Sequence, residues 1–308
     1  MGGLLMTTAD QIWSQLPREY RIPPSAPSFE DACSYCRRLA RTHYENFSVA
    51  SWFLPRRLHQ HFFNVYAYCR IADDLGDEAG DPAASLALLD QWEAELNACY
   101  EGRPRHPVFV ALTSTIGEFD IPKQTFADLL RAFRQDQTVS RYETFLDLVE
   151  YCRYSANPVG HLVLYLCGYR DSERQQLSDF TCTALQLANF WQDVSRDYEK
   201  GRIYVPLEDL SGYDVAESDI AAGRNSPQFR RMMRFEVGRA REYFTRGLPL
   251  QKSVGRELAV DIELFTRGGQ AILAAIERQD YAVLGNRPAI SRARKLALVA
   301  RAAFRRLL

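Results

Sequence analysis

The sequence lacks any run of about 20 apolar residues, the length that a membrane-spanning helix requires. Its most apolar short segment, residues 161–169, is much shorter than that. The first ten residues have neither the basic stretch nor the long apolar core of a secretion signal. Met6 also stands where a myristoylation site needs serine or threonine. We therefore expect a soluble cytoplasmic protein.

The sequence also lacks an excess of charge and any metal-binding pattern of cysteine or histidine. The net charge is −1, whereas nucleic-acid-binding domains are typically basic, so we expect no nucleic-acid partner. The seven cysteines are odd in number and scattered, which is typical of reduced thiols in a cytosolic protein. Cys33 and Cys36 have no second pair that could complete a zinc site, and the five histidines show no ligand spacing.

Alternation of apolar and polar residues, which would indicate β-strands, is nearly absent. Only residues 202–206 have a pattern that could be extended. Helical periodicity covers most of the chain from Ser28, which has the form of a helix N-cap followed by acidic residues. Residues 1–27 hold two proline clusters and are expected to form a loosely attached arm. We predict a single all-α domain over residues 28–308.

The first chemically informative stretch is the acidic end of a predicted helix. Asp73 and Asp77, which we call the first acidic motif, are four residues apart, so their carboxylates share one helix face. Arg70 and Tyr66 precede them on that face. Carboxylates and water are ligands that suit Mg²⁺. The stretch is therefore either one wall of a divalent-metal site or a solvated helix end.

A second stretch repeats this arrangement. Asn189, Asp193 and Asp197, which we call the second acidic motif, recur at intervals of four and also follow an apolar run. Two apolar helices that each end in a row of oxygen ligands predict two walls of one pocket. Because Mg²⁺ is usually shared between a few carboxylates and substrate phosphates, the implied substrate is a diphosphate with a long hydrocarbon tail.

Together, the two acidic motifs resemble the metal motifs of the squalene/phytoene synthase family. The segments Tyr66–Arg70 and Lys200–Pro206, which flank the motifs, are similar to the same family, and the likeness extends from about Ser28 to about Ala275. The resemblance implies an all-α, single-domain isoprenoid synthase bundle with a central hydrophobic pocket. It also implies Mg²⁺ as the cofactor.

The resemblance implies roles for particular residues. In that family, Mg²⁺ ions hold the substrate diphosphate and stabilise its charge as the C–O bond breaks. Tyr66 would act beside them, because an aromatic face can steady a carbocation by ~1–2 kcal/mol. The implied metal ligands are Asp73, Asp77, Asn189, Asp193 and Asp197, of which Asp73, Asp77 and Asp193 are taken as catalytic together with Tyr66.

Other residues are expected to contact the substrate itself. Arg70, Lys200 and Arg202 would hold the diphosphate, and the alternative for each is an ordinary surface position, with Arg70 paired to Asp74. Asp74 and Glu78 are expected beside the metal ligands, in solvent. The remaining implied substrate contacts are Phe47, Ser48, Tyr151 and Tyr204. Plain core packing is the alternative for the aromatic ones, since apolar residues at helical spacing usually form the core.

Two departures from the family pattern bear on the reaction. Gln192 stands where the family commonly has arginine, and Ala156–Gly160 replaces a common Ala-Gly-x-Val-Gly sequence. These features resemble the hydroxysqualene synthase branch of bacterial hopanoid pathways. That branch implies conversion of presqualene diphosphate and water to hydroxysqualene and diphosphate. The alternatives are head-to-head condensation of two farnesyl diphosphates, giving presqualene diphosphate, squalene or a phytoene-type product, and a non-catalytic family member.

The C-terminal stretch, residues 287–308, carries seven cations and no acid, with apolar residues at helical spacing between them. A basic amphipathic helix can lie on an anionic membrane surface and gains ~1 kcal/mol for each cation near the headgroups. One interpretation is therefore peripheral contact with the inner membrane surface. The other is a terminal helix that packs its apolar face on the domain and leaves its arginines in water.

Overall fold

The computed structural model of the protein describes residues 17, 20–42, 55–77 and 79–307. No β-strand occurs in these residues, including the segment at 202–206, and the prediction of an all-α fold is confirmed. The described helices are α1 (Phe29–Thr42), α2 (His59–Asp77), α3 (Pro82–Tyr100), α4 (Pro107–Phe119), α5 (Lys123–Gln135), α6 (Phe145–Ser155), α7 (Asn157–Leu166), α8 (Ser172–Glu199), α9 (Leu207–Gly212), α10 (Glu217–Ala221), α11 (Pro227–Gly247), α12 (Leu250–Ser253), α13 (Arg256–Arg278) and α14 (Arg292–Leu307).

The helices divide into two compact units, and the first contains the described residues up to 42 together with 56–138. Its centre is α2, which contacts α1, α3, α4 and α5. The ring of Tyr68 stacks on Trp92 and meets Phe126 edge to face, while its hydroxyl donates to the Phe126 carbonyl at 2.9 Å. A buried tyrosine satisfied in this way fixes the rotation of α2, and with it the face that the first acidic motif occupies.

The second unit contains Pro55 and the described residues from 139 onward. Its centre is the long helix α8, which contacts α6, α7, α11 and α13. Glycine allows two of these close approaches. A Cβ on Gly160 would lie 2.3 Å from the Ser178 hydroxyl, and one on Gly269 would lie 2.9 Å from Leu185 Cδ2. The glycines weaken their own helices, and the tight packing offsets this cost.

Helix ends follow the predicted signals. Ser28 caps α1, since its hydroxyl accepts from the Asp31 backbone N–H at 3.1 Å. The helical path is interrupted between α6 and α7, because α6 ends at Ser155 and Pro158 stands in the first turn of α7. Among the described helices, none combines the length and the apolar character needed to cross a bilayer. The boundary between an arm and a domain at residue 27 stays a prediction.

Candidate active site

The first acidic motif lies at the C-terminal end of α2, on its exposed face. The Asp73 side chain is 52% exposed, and Asp77 is also exposed. The neighbouring Ala72 and Leu75 are fully buried, so the helix turns its apolar side inward and its two motif carboxylates outward. The helix therefore does what the spacing predicts, which is to place both carboxylates on one face.

Asp74 differs from what the sequence suggested. Its side chain is 3% exposed and accepts hydrogen bonds from the Tyr20 hydroxyl at 2.6 Å and from Arg70 Nε at 3.1 Å. The expectation that Asp74 is solvated is therefore wrong, because it faces the interior, where a tyrosine and an arginine satisfy its charge. Tyr20 belongs to the segment predicted to be a loose arm, yet its ring is buried. Glu78 lies outside the described residues.

Arg70 links the buried and exposed acids. Its guanidinium bonds both oxygens of Asp74, and its Nη1 lies 3.7 Å from Asp73 Oδ2. This is the pairing with Asp74 that was the alternative to a diphosphate contact, and the diphosphate contact stays a prediction. One turn earlier, Tyr66 is half-buried, and burial raises the pKa of its hydroxyl. Its place between the apolar and ionic parts of α2 agrees with the expected order along the helix.

The second acidic motif lies near the C-terminal end of α8. Asn189 is exposed, whereas Asp193 and Asp197 are half-buried. Asp193 is held by a bidentate ion pair with Arg287, whose Nε and Nη2 donate to its two carboxylate oxygens at 2.5 and 2.7 Å. The same arginine donates to Gln192 Oε1 at 3.0 Å. Asp193 therefore has a cationic partner before any metal binds.

The surroundings of Asp197 shift the pKa of its carboxyl. Burial, and next the charge of Asp193, raise the pKa of Asp197 to about 7, against the opposing charges of Lys200, Arg202 and Arg287. The turn after α8 explains why these cations are close. Gly201 has φ +80°, and the Arg202 N–H donates to the Asp197 carbonyl at 2.8 Å, which folds the chain back onto the motif. Lys200 and Arg202 thus lie near the Asp197 carboxyl, and their contact with a diphosphate stays a prediction.

The predicted tail-pocket aromatics of the second unit form a cluster. The ring of Tyr204 stacks on Phe190 with centroids 3.9 Å apart, and Tyr151 stacks on Tyr204 at 5.9 Å. These rings are all buried. Tyr151 and Tyr204 also contact the ring of Tyr142, and the role of these aromatic residues toward a hydrocarbon tail stays a prediction. Phe47 and Ser48 lie outside the described residues.

The acidic motifs provide the ligand chemistry that Mg²⁺ prefers. All five proposed ligands are carboxylate or amide side chains. Within the part of the chain that the structure describes, no three histidine, cysteine or acidic side chains converge on one metal position. Mg²⁺ usually binds through one or two carboxylates, keeps several waters and takes the rest of its ligands from substrate phosphates. The residues present therefore fit a metal that one or two carboxylates bind, with water or a diphosphate as its remaining ligands.

Sequence reasoning missed Arg287. The sequence places this arginine among the cations of the basic C-terminal stretch, but the residue precedes α14 and pairs with Asp193, 94 positions earlier in the chain. No local pattern could reveal a pairing over that separation. The one signal was the unusual Gln192, whose amide contacts the same loop.

The chain is an all-α protein in which α2 and α8 each carry a row of carboxylate or amide side chains near the C-terminal end. The chain belongs to the squalene/phytoene synthase family, whose sequence model matches residues 40–294. The match includes both acidic motifs. Members of this family are enzymes of isoprenoid synthesis that act on substrates derived from farnesyl diphosphate.

Particular relatives bear on the branch of the family. The fold is similar to a crystal structure of squalene synthase HpnC from Alicyclobacillus acidocaldarius, with TM-score 0.79 and 46% identity over 88% of this chain and 98% of that one. A dehydrosqualene synthase structure gives TM-score 0.81 and 27% identity over 90% and 96%. In sequence, 15-cis-phytoene synthase of Synechocystis sp. is 30% identical over 92% of this chain and 87% of its own.

Proposed function

We propose that the protein converts presqualene diphosphate and water to hydroxysqualene and diphosphate, as a Mg²⁺-dependent lyase of hopanoid biosynthesis. The observation that carries the proposal is the 46% identity to squalene synthase HpnC, against 30% for the phytoene synthase relative. Gln192 supports it, because it stands where the family commonly has arginine, and here its amide binds the Pro288 carbonyl and Arg287.

The chemistry divides between the charged and the apolar parts of the proposed site. Bound Mg²⁺ would supply positive charge to the diphosphate as it leaves with the C–O electron pair. The first and second acidic motifs would hold the metal, and Lys200 and Arg202 would bind the departing anion. Tyr66 would steady the cation during rearrangement of the cyclopropyl ring. Water then adds to the cation and loses a proton to solvent, so no reductant is required.

Two other functions are alternatives to the proposed reaction. Condensation of two farnesyl diphosphates is favoured by the phytoene synthase relatives and would use the same metal residues. A non-catalytic role is disfavoured, because a chain that had lost activity would be expected to lose ligands from at least one motif. Here both motifs are complete.

Isotope labelling tests the proposed reaction. Pure protein with Mg²⁺ and presqualene diphosphate in ¹⁸O water, without nicotinamide, should yield a C30 alcohol that carries the label, because the oxygen comes from solvent. Mass analysis of the product measures this, with Asp77→Asn as the inactive control. An unlabelled product, or turnover only with farnesyl diphosphate or reduced nicotinamide, would favour condensation instead.

We also propose that α14 contacts an anionic membrane surface, from which such an apolar substrate would arrive. One face of α14 packs on α13, where Val299 and Ala302 meet Val260 and Leu264. A second apolar stripe remains outside. The side chains of Leu296 and Phe304 are 70% and 62% exposed, with Ala300 between them. Among the α14 residues whose exposure the structure describes, the exposed cations are Arg292, Arg294, Lys295 and Arg301.

Vesicle flotation tests the membrane proposal. Replacing Arg294, Lys295 and Arg301 by glutamine should weaken binding to phosphatidylglycerol vesicles about 100-fold, since each cation near the surface contributes about 1 kcal/mol. The pair Leu296→Ser and Phe304→Ser should weaken it as well, whereas Leu146→Ser, at a residue that is 76% exposed on α6, should not. Equal flotation of parent and variants would identify α14 as a packing helix only.

A further inference from the structure

The loop at residues 283–288 is fastened to the second acidic motif through its backbone. Gln192 Nε2 donates to the Pro288 carbonyl at 2.6 Å. One turn further along α8, the Ser195 hydroxyl accepts from the Gly285 N–H at 3.1 Å. The loop is therefore held at two backbone positions on either side of Arg287.

Gln192 also contacts the arginine itself. Its Oε1 accepts from Arg287 Nη2 at 3.0 Å, so both ends of the amide are used by the same loop. The side chain is 6% exposed, and a buried amide with both ends satisfied has one preferred orientation. With Nη2 fixed by this bond, the guanidinium faces Asp193 edge-on and donates to both of its oxygens.

We infer that Arg287 is an internal counter-ion of Asp193 and that Gln192 is the positioning residue that holds it there. This inference rests on the proposed metal role of Asp193. A guanidinium and a metal ion compete for the same two carboxylate oxygens, so metal binding at this motif exchanges one cation for another. The strength of the Arg287–Asp193 ion pair then sets how readily the metal-free protein binds a divalent cation.

Binding of Mn²⁺ alone tests the roles of both Arg287 and Gln192. The amount of free Mn²⁺ is measured from its electron paramagnetic resonance signal. Arg287→Gln should tighten Mn²⁺ binding about tenfold, because a competing unit charge is removed from the carboxylate. Gln192→Met keeps the volume but removes both hydrogen bonds, and it should tighten binding about fivefold, the effect of about one net hydrogen bond. The double variant should bind no more tightly than Arg287→Gln. Arg294→Gln and Gln186→Met are the controls, and thermal melts check folding.

Each result has a distinct meaning. Unchanged Mn²⁺ affinity in Arg287→Gln would overturn the counter-ion while leaving the metal site in place. Further tightening by Gln192→Met in the Arg287→Gln background would show that Gln192 does not act through the arginine. Mn²⁺ binding that is absent in every variant would overturn the metal role of the motif and this inference with it. Gln192→Ala replaces Gln192→Met if the latter does not fold.

Discussion

Asparagine in place of Asp73 or Asp197 should lower turnover by at least about 100-fold while the protein stays folded, because each change removes one anionic metal ligand from the proposed site. The Asp73 side chain is half-exposed and its Oδ2 lies 3.7 Å from Arg70 Nη1, so little packing is lost. Asp197→Asn replaces a half-buried carboxyl, the pKa of which burial raises to about 7, by a neutral amide of the same shape.

Thermal melts with and without Mg²⁺ and inorganic diphosphate separate loss of the metal from loss of the fold. A ligand at 100 times its Kd stabilises a protein by about 2.7 kcal/mol, and the parent should show a gain of this order. Both variants should melt like the parent without ligand and lose most of the gain with it. Asp90→Asn, at an exposed carboxylate that also pairs with an arginine, is the matched control. Variants that retain the full gain would show that the metal set is wrong.

The choice of Asp197 rather than Asp193 follows from the structure. Carboxylates four residues apart on one helix repel each other, so removing one of them should leave the metal-free protein as stable as before. Asp193 does not meet that condition, because its loss leaves Arg287 without its bidentate partner. A fall in activity of Asp193→Asn would therefore mix metal loss with loss of the ion pair that Asp193 makes with Arg287.

Local spacing predicted which residues share a helix face, and it could predict little about what each face contacts. Asp73 and Asp77 follow from an interval of four on one helix. The burial of Asp74 depends on Tyr20, 54 residues earlier, and the pairing of Asp193 depends on Arg287, 94 residues later. Such pairs form only when distant segments pack. For the same reason, local spacing could not predict that the Thr183 hydroxyl donates to Asn157, 26 residues earlier.

The buried carboxyl of Glu236 on α11 is another feature without a sequence signal. Its side chain is fully buried, and its Oε1 accepts from Arg239 Nη1 at 3.0 Å. Arg239 also pairs with Asp209, so one guanidinium serves two carboxyl groups and balances only one negative charge. Burial, and next the hydrogen bond with Asp209, raise the pKa of Glu236 to about 9. At neutral pH the folded protein therefore carries this group protonated.

Glu236→Gln should make unfolding stability less dependent on pH. Between an unfolded pKa of about 4.3 and a folded pKa of about 9, the folded state binds one more proton than the unfolded state, so the parent loses stability as pH rises through this window. The loss approaches about 1.4 kcal/mol for each pH unit, or up to about 4 kcal/mol from pH 5 to pH 8. Glutamine keeps the shape and carries no charge at either pH, so the variant should match the parent near pH 5 and exceed it near pH 8.

Urea unfolding of both proteins at several pH values measures this difference, with the exposed Glu242→Gln on the same helix as the control for the removal of a surface carboxylate. The control should track the parent at every pH. If Glu236 is ionised in the folded protein, Glu236→Gln instead breaks a buried pair with Arg239. The variant would then be less stable than the parent at pH 8, which is the opposite sign and would contradict the raised pKa.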